Sequence, residues 1–386
     1  MRIAIFDYKI IPTNPVGSCH LHMLRQLCRE HDFTVFAAEF ENPCPERIRW
    51  VRVPVPVRPL AVLFVLYHVV APVCYWWHRL WQWTRFDLIQ IVESKLSFGD
   101  AAYVQFCHRA YLKHHWRESK AAGWRGLLRW LDYRLHALME PVVYRRVKRI
   151  VVPSRGLARE LRGEYPFVSD KIEVVPNPVD VERMQPAAGF DRDGFRRRLG
   201  VGRDDAALVF VALGHFERKG LPLLLEALRQ SQHSRHKLLV VGGEADLIAA
   251  YRGRVERMGL GGRVIFAGMQ RDIRPYLWAA DAFALPSSYE VFPLVSLEAA
   301  AAGLPLSVTP LNGVEEFIRD GKNGVLVECS VSGVTRGIER IISMPPDARR
   351  AMGRQAQKDV EAYSVLNFVN AWRNFYMRYA SGDQCA

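Results

Sequence analysis

The 386-residue chain is predicted to be an α/β protein with two parallel sheets of Rossmann-like design, each covered by helices. Three observations predict this. Short apolar runs alternate with helix-period segments, the pattern of parallel strands joined by helical crossovers. The length exceeds what a single core usually supports, so two domains are the prior. A proline- and asparagine-containing stretch, PNPVD, interrupts the alternation near its middle and suits a hinge.

In the first half, RIAIFD, FTVFA, IRWVRV, DLIQIV, YVQFCH, RIVVP and KIEVVP read as strands. HLHMLRQLCRE, the apolar stretch after Pro59, the basic region and GLARELRGEY read as the helices between them. The second series has strands ALVFVA, KLLVVGG, RVIFAG, AFALP, LPLSVTP and GVLVE. Its helices are LPLLLEALRQ, DLIAAYRGRVERMGL, IRPYLWAAD, the Glu298 segment, VEEFIRD and VSGVTRGIERIISM. With the linker at Pro176 to Pro186, the expected division is 1–178 for the N-terminal domain and 179–363 for the C-terminal domain. The remaining segment, 364–386, holds FVNAWRNFYMRYA with Phe368, Trp372, Phe375, Tyr376 and Tyr379. It follows a completed sheet and needs a surface to cover, so it is expected to cross back to the first domain.

Composition narrows the classes. With 49% hydrophobic residues the chain has ample core material and is not disordered. Seven cysteines, odd in number and never in CxxC or CxxH spacing, fit a reducing compartment and no zinc site. MRIAIFDYKIIP lacks the pattern of a secretory signal, and a cytoplasmic location is expected. The net charge of +13 suits nucleic acid, an anionic membrane surface or a phosphorylated ligand, and the basic residues concentrate between Arg109 and Arg162. Leu60 to Trp77 approaches a membrane span in length, but His68 and Pro72 interrupt it, and it reads as a core or interface helix. The tryptophan-rich Arg109–Arg149 region reads as a lipid-facing surface, the frame of an acceptor groove, or simply a solvated helix face.

The chemistry concentrates in YEVFPLVSLEAAAAGLPL, where Glu290 precedes a helix and Glu298 lies inside it. At helical rise they are about 12 Å apart, too far for a close acid/base pair. They can grip two parts of one elongated ligand while the helix start meets an anion between them. Taken alone, such a pair is more often a helix-start charge and a surface residue. In GHFERKG, the turn after a strand, Arg218 and Lys219 suit phosphate oxygens, although a basic pair in an exposed turn is usually only solvated.

The run SSYEVFPLVSLEAAAAGLP resembles the E-x(7)-E region of the retaining glycosyltransferases of family four, which have the two-domain GT-B fold. GHFERKG, RVIFAGMQRDIRPYLWAAD and LNGVEEFIRDGKNGVLV follow that family's order from about Ala206 to Val327. The resemblance implies two Rossmann-like domains facing a cleft, acceptor on the first and nucleotide sugar on the second. It implies that Glu290 contacts the transferred sugar, that Glu298 holds the ribose, and that the backbone at Phe292, Pro293, Leu294 and Val295 meets the diphosphate. By the same resemblance, Gly214, His215, Arg218 and Lys219 line the phosphates, Gly17 approaches them from the first domain, and Gly268 and Met269 flank the base. Asn312 and Gly313 are weaker candidates on the same side. His108, read as the end of the strand YVQFCH, would face the sugar beside the catalytic Glu290, Arg218 and Lys219.

Two positions depart from the family's pattern. His215 stands where an arginine is common, and Gly17-Ser18 stands where two glycines are common. The implied donor is a UDP or GDP sugar, with no metal and no other cofactor. The implied acceptor is a hydroxyl, lipid-linked in one option, for polysaccharide, lipid-linked glycan or glycoside synthesis. With a lipid-linked acceptor, peripheral attachment to the inner membrane face would follow. Retention by front-face attack fits best, since no second carboxylate is placed as a nucleophile. A GT-B sugar nucleotide epimerase is the nearer alternative. A basic nucleic-acid binder is the more distant one, and the chain carries no recognisable RNA or DNA module.

Overall fold

Every strand pairing in this computed structural model is parallel, and it describes residues 1–116, 123–231 and 235–382. The chain divides into two units, Met1–Pro178 with Val365–Ala386, and Val179–Ser364. Part of the basic region, residues 117–122, lies outside the described residues.

The first unit contains β1 (Arg2–Phe6), β2 (Lys9–Ile10), β3 (Asp32–Ala37), β4 (Glu39–Phe40), β5 (Arg49–Arg52), β6 (Leu88–Val92), β7 (Ala101–Tyr103), β8 (Arg149–Val152) and β9 (Ile172–Val174). Seven of these form one sheet in the order β5-β3-β1-β6-β7-β8-β9, while β2 and β4 form a separate short ladder. The central strands are near-continuous apolar runs because helices cover both faces; the edge strand β5 carries Arg49 and Arg52 toward solvent. The strand order reverses between β1 and β6, which opens a crevice at their C-terminal ends.

The second unit contains β10 (Ala206–Val211), β11 (His236–Val241), β12 (Val264–Gly268), β13 (Ala282–Leu285), β14 (Leu306–Val308) and β15 (Gly324–Leu326), in the order β12-β11-β10-β13-β14-β15. Here the order reverses between β10 and β13. Two helices of this unit, Arg192–Arg198 and Pro346–Asp359, have no counterpart in the sequence reading. Both are highly charged, and the apolar periodicity that reveals a helix is correspondingly weak.

The closing helix, Val365–Ser381, belongs to the first unit. It buries Phe368, Val369, Trp372, Phe375 and Tyr376; Tyr376 donates to Gln90 at 2.8 Å, and Arg373 meets Glu30 at 2.8 Å.

Two local readings are corrected. YVQFCH is not a strand throughout, because β7 ends at Tyr103 and His108 opens the helix His108–His114. The cause is tertiary: the Glu140 carboxylate accepts the backbone N–H groups of both His108 and Arg109, at 2.7 and 3.2 Å, and so caps that helix. The stretch after Pro59, read as a core or interface helix interrupted at His68 and Pro72, forms one 23-residue helix, Leu60–Gln82, that runs continuously through both. One stripe, including Phe64, Tyr67, Ala71 and Tyr75, is buried, whereas Val65, Val69, Val73 and Trp77 are exposed.

Candidate active site

The second unit's candidate site lies where its strand order reverses. The GHFERKG turn follows β10, and the Glu290 loop follows β13, its immediate neighbour in the sheet. Ligands of open parallel sheets bind at such switch points. Backbone contacts lock the two loops together. The Ser288 N–H donates to the Arg218 carbonyl at 2.8 Å, and Thr309 Oγ1, from the loop after β14, donates to the Ser287 carbonyl at 2.7 Å. Gly220, at φ 82°, lies so close that a Cβ would stand 2.1 Å from the Pro286 carbonyl oxygen.

Within this frame Lys219 Nζ lies 2.5 Å from Glu290 Oε1, and Ser287 Oγ donates to the same oxygen at 2.8 Å. Glu290 is buried. Burial pushes its carboxyl up, but the Lys219 and Arg218 charges outweigh that and hold it below the usual range. For Lys219, burial dominates and brings the ammonium below its usual value despite Glu290. Lys219 is therefore not a free phosphate cation in this state. Arg218 is placed differently: its Nε is buried and has no hydrogen-bond partner among the described residues. An unsatisfied guanidinium N–H beside a helix start is a group that an anion would satisfy.

That helix is Leu294–Ala301, which has no side-chain cap at Pro293. The first N–H groups of a helix lack intrahelical partners, so those of Leu294 and Val295 are available to an anion. The expectation for Pro293 is corrected here, since proline has no N–H to offer. Phe292 is buried against Tyr363, with ring centroids 5.8 Å apart. It also explains Gly313, whose Cβ would stand 2.5 Å from the Phe292 ring; the glycine at φ 81° is a packing requirement. Glu298, within the helix, is half-buried, and burial raises its carboxyl to about 7 although Arg183 partly offsets this.

The other candidates of this unit are dispersed along the same side of the sheet. His215 is exposed and holds a left-handed φ of 56°, with its carbonyl accepting the Lys219 N–H at 2.9 Å. Gly214 precedes it with open space around its Cα. Gly268, at φ 71°, ends β12, two strands from the switch point, and Met269 beyond it is 56% exposed. Asn312 is half-buried in the loop before Gly313.

Gly17 and His108 belong to the first unit. Gly17 is buried in the helix Pro15–Leu27; its N–H is taken by Asn14 Oδ1 at 2.9 Å, and a Cβ would stand 2.9 Å from the Lys9 carbonyl oxygen. Its small size thus serves approach to its own chain, in contrast to the phosphate approach expected of it. His108 lies in a buried polar cluster. Its Nδ1 is 2.9 Å from Glu140 Oε1, Tyr165 donates to the other oxygen at 2.7 Å, and its ring stacks on His136 at 4.3 Å. Burial lowers the His108 pKa, but Glu140 outweighs it and the net shift is upward. His136, buried beside this charge, is pushed well below the usual value.

Sequence reasoning missed the rest of this cluster. Lys95 lies 2.9 Å from Asp7, whose carboxylate is 3.7 Å from His20, and Glu93 is 3.9 Å from Lys95. Asp7 follows β1, and Glu93 to Lys95 follow β6, the two strands flanking the reversal. The signal was present as polar residues directly after apolar runs, IFDY and IVESK. Glu93, His108 and His136 bring ligand-type atoms within 4.8 Å of one another. The two imidazoles are stacked at an interplanar angle of 12°, so their in-plane lone pairs run alongside each other and do not converge as metal ligands must.

Two parallel-sheet units, the second with a cationic and carboxylate-bearing switch point at a helix start, make an α/β protein whose second unit is suited to an anionic ligand such as a nucleotide. Comparison agrees. Residues 16–183 match "Glycosyltransferase Family 4", and residues 192–359 match "Glycosyl transferases group 1". The chain belongs to the group 1 glycosyltransferases.

It is similar to the uncharacterized glycosyltransferase MJ1607 of Methanocaldococcus jannaschii, 26% identical over 76% of this chain and 75% of that one. It is 39% identical to the lipopolysaccharide core biosynthesis glycosyltransferase LpsE of Rhizobium meliloti over 36% of this chain and 40% of that one. It is 28% identical to an Escherichia coli UDP-Gal:alpha-D-GlcNAc-diphosphoundecaprenol alpha-1,3-galactosyltransferase over 54% of each chain. The matches to the latter two thus span less than two thirds of those relatives.

Among solved structures, sucrose-phosphate synthase of Thermosynechococcus elongatus superposes with a TM-score of 0.78 at 18% identity, covering 99% of this chain and 100% of that one. Anabaena HepE in complex with UDP-glucose gives 0.74 at 19% identity, covering 98% and 99%. The fold is GT-B.

Proposed function

We propose that the protein is a retaining glycosyltransferase that moves a hexosyl unit from a UDP or GDP sugar to a hydroxyl acceptor of a cell-surface or lipid-linked glycan. The observation that carries this reading is the switch point of the second unit, where the Lys219–Glu290 pair and the unsatisfied Arg218 Nε stand beside an uncapped helix start. The relatives support the donor and acceptor classes: HepE was solved with UDP-glucose, and the E. coli relative is named for a diphosphoundecaprenol acceptor.

In this reading the bond from the anomeric carbon to the diphosphate oxygen breaks, and its electron pair leaves with the nucleotide diphosphate. The acceptor oxygen bonds to the same face of the carbon and passes its proton to the departing phosphate oxygen. Arg218 and the N–H groups of Leu294 and Val295 stabilise the growing negative charge. Glu290 orients the sugar hydroxyls, and Lys219 holds Glu290 ionised and in place. Glu298 accepts from the ribose hydroxyls. No metal is required for this charge balance. The enzyme would work in the cytoplasm, where thiols stay reduced, in keeping with the free cysteines of the described residues.

A thermal-shift screen against UDP and GDP sugars identifies the donor, because a ligand of the native state stabilises it by mass action. Acceptor-dependent release of the nucleotide diphosphate with an α-linked product from an α-linked donor is then expected. Conversion of the nucleotide sugar without any acceptor would instead make the protein an epimerase.

A further inference from the structure

The helix Leu60–Gln82 carries two apolar stripes where a helix covering a sheet needs one. The first, Phe64, Tyr67, Ala71, Tyr75 and His78, is buried. It is anchored to the sheet by Tyr67, which donates to the Phe36 carbonyl at 2.7 Å, and by Tyr75 against Phe6 and Phe36. The second recurs at the same three- and four-residue spacing as Val62, Val65, Val69, Val73, Trp76 and Leu80, with Trp77 and Trp81 alongside. These side chains are 44–70% exposed. Scattered exposed apolar residues are ordinary, but a continuous helical stripe of this length marks an interaction surface.

Charge identifies what covers it. From Val53 to Phe86 the chain has three arginines, Arg58, Arg79 and Arg85, and no carboxylate. The helix Gly123–Arg146 packs beside it through His136 against Phe64, with ring centroids 4.4 Å apart. That helix also exposes Leu127, Trp130, Leu138 and Val142, interspersed with the exposed Arg134 and Arg145, while its only carboxylates, Asp132 and Glu140, are buried. Arg79 stacks over Trp76 and Arg134 over Trp130, at 5.0 and 5.6 Å, so cation and indole are presented together. Tryptophan and arginine on an apolar face match the headgroup zone of a bilayer.

We propose that this face docks the protein on a bilayer containing anionic phospholipid, with Leu60–Gln82 lying in the plane of the interface. Length and composition alone would let the helix span a membrane, but its buried stripe is fastened to the sheet and is not available to lipid. A second copy of the chain is a poor occupant, because a two-fold contact would set arginines against arginines. Apolar insertion supplies the hold, and the arginines select anionic lipid. The inference does not rest on the acceptor reading, since vesicle binding is measured without any donor or acceptor.

The test is flotation with vesicles of phosphatidylcholine alone and of phosphatidylcholine mixed with phosphatidylglycerol, together with quenching of tryptophan emission by brominated lipid. The full chain should float with the mixed vesicles and be quenched, and high salt should weaken binding without abolishing it. Val73→Glu and Trp77→Glu, both exposed, should keep the wild-type melting temperature and each reduce partitioning roughly tenfold. Arg79→Glu with Arg134→Glu should remove the preference for phosphatidylglycerol. Absence of binding to either vesicle, binding undiminished by Val73→Glu and Trp77→Glu, or concentration-dependent dimerisation abolished by those two variants would each overturn the proposal.

Discussion

Lys219 Nζ stands 2.5 Å from Glu290 Oε1, and both side chains are largely shielded from solvent, at 17% and 8% exposure. Before any donor arrives, each is the other's counter-charge. Breaking a buried pair from one side leaves an uncompensated charge, whereas removing both charges together can be nearly neutral.

The first prediction uses that asymmetry. Lys219→Met should destabilise the protein by about 3 kcal/mol, and Lys219→Met with Glu290→Gln should recover most of the loss. Turnover should stay at least about a hundredfold down in both, because Glu290 loses the cation that holds it ionised and in place in the one and its charge in the other. Denaturant midpoints and kcat on the same preparations check this; additive stability losses would show that the pair is not coupled.

Arg218 has a different role. Its unpartnered Nε is costly without an anion, so Arg218→Ala should change stability little while weakening UDP or GDP binding by about ten- to a hundredfold. Calorimetric titration with the free diphosphate measures it, and unchanged affinity would remove Arg218 from the phosphate site.

Glu298 should carry a pH signature of two opposite signs. Its folded-state pKa of about 7 exceeds the usual 4.5, so the folded protein binds more protons between those values. The stability it contributes is complete below about 4.5 and is lost as pH rises through about 7, by about 1–2 kcal/mol for a half-buried group. Donor affinity should rise over the same interval, because the ionised carboxylate is the better acceptor for ribose hydroxyls. Glu298→Gln should flatten both curves and mainly raise the donor KM, whereas Glu290→Gln should mainly lower kcat.

His108 works in the opposite electrostatic setting, because burial disfavours its charge but the Glu140 carboxylate prevails. With the folded pKa above the unfolded 6.5, its contribution to stability is present below 6.5 and disappears as pH rises through the folded value. Glu140→Gln takes away the charge that outweighs burial, so this dependence should reverse, with stability then rising as pH rises. A melting-temperature profile of Glu140→Gln parallel to wild type would deny the coupling.

Gly220→Ala offers a purely steric test. A Cβ there would stand 2.1 Å from the Pro286 carbonyl oxygen at a backbone φ of 82°, so the β10 and β13 loops would be forced apart. The expected loss is about 2 kcal/mol or more of stability, with donor binding falling alongside it. Retained binding would show that the two loops tolerate separation.

The apolar runs and their alternation with helical segments let the sequence by itself determine the α/β class, the strands β10 to β15 and the motif segments around Glu290 and Lys219. A strand buried on both faces must be apolar, and that requirement is written locally. Local pattern could not show that Lys219 is spent on Glu290, that Glu140 turns His108 into a helix start, or that Asp7, Glu93 and Lys95 converge. Those partners lie 71, 32 and up to 88 residues apart along the chain. Nor could it separate the two stripes of Leu60–Gln82, since apolar residues read alike whether a sheet covers them or nothing does. Only the tertiary structure decided these points, because the field at a buried charge and the exposure of a side chain are set by which distant segments pack against it.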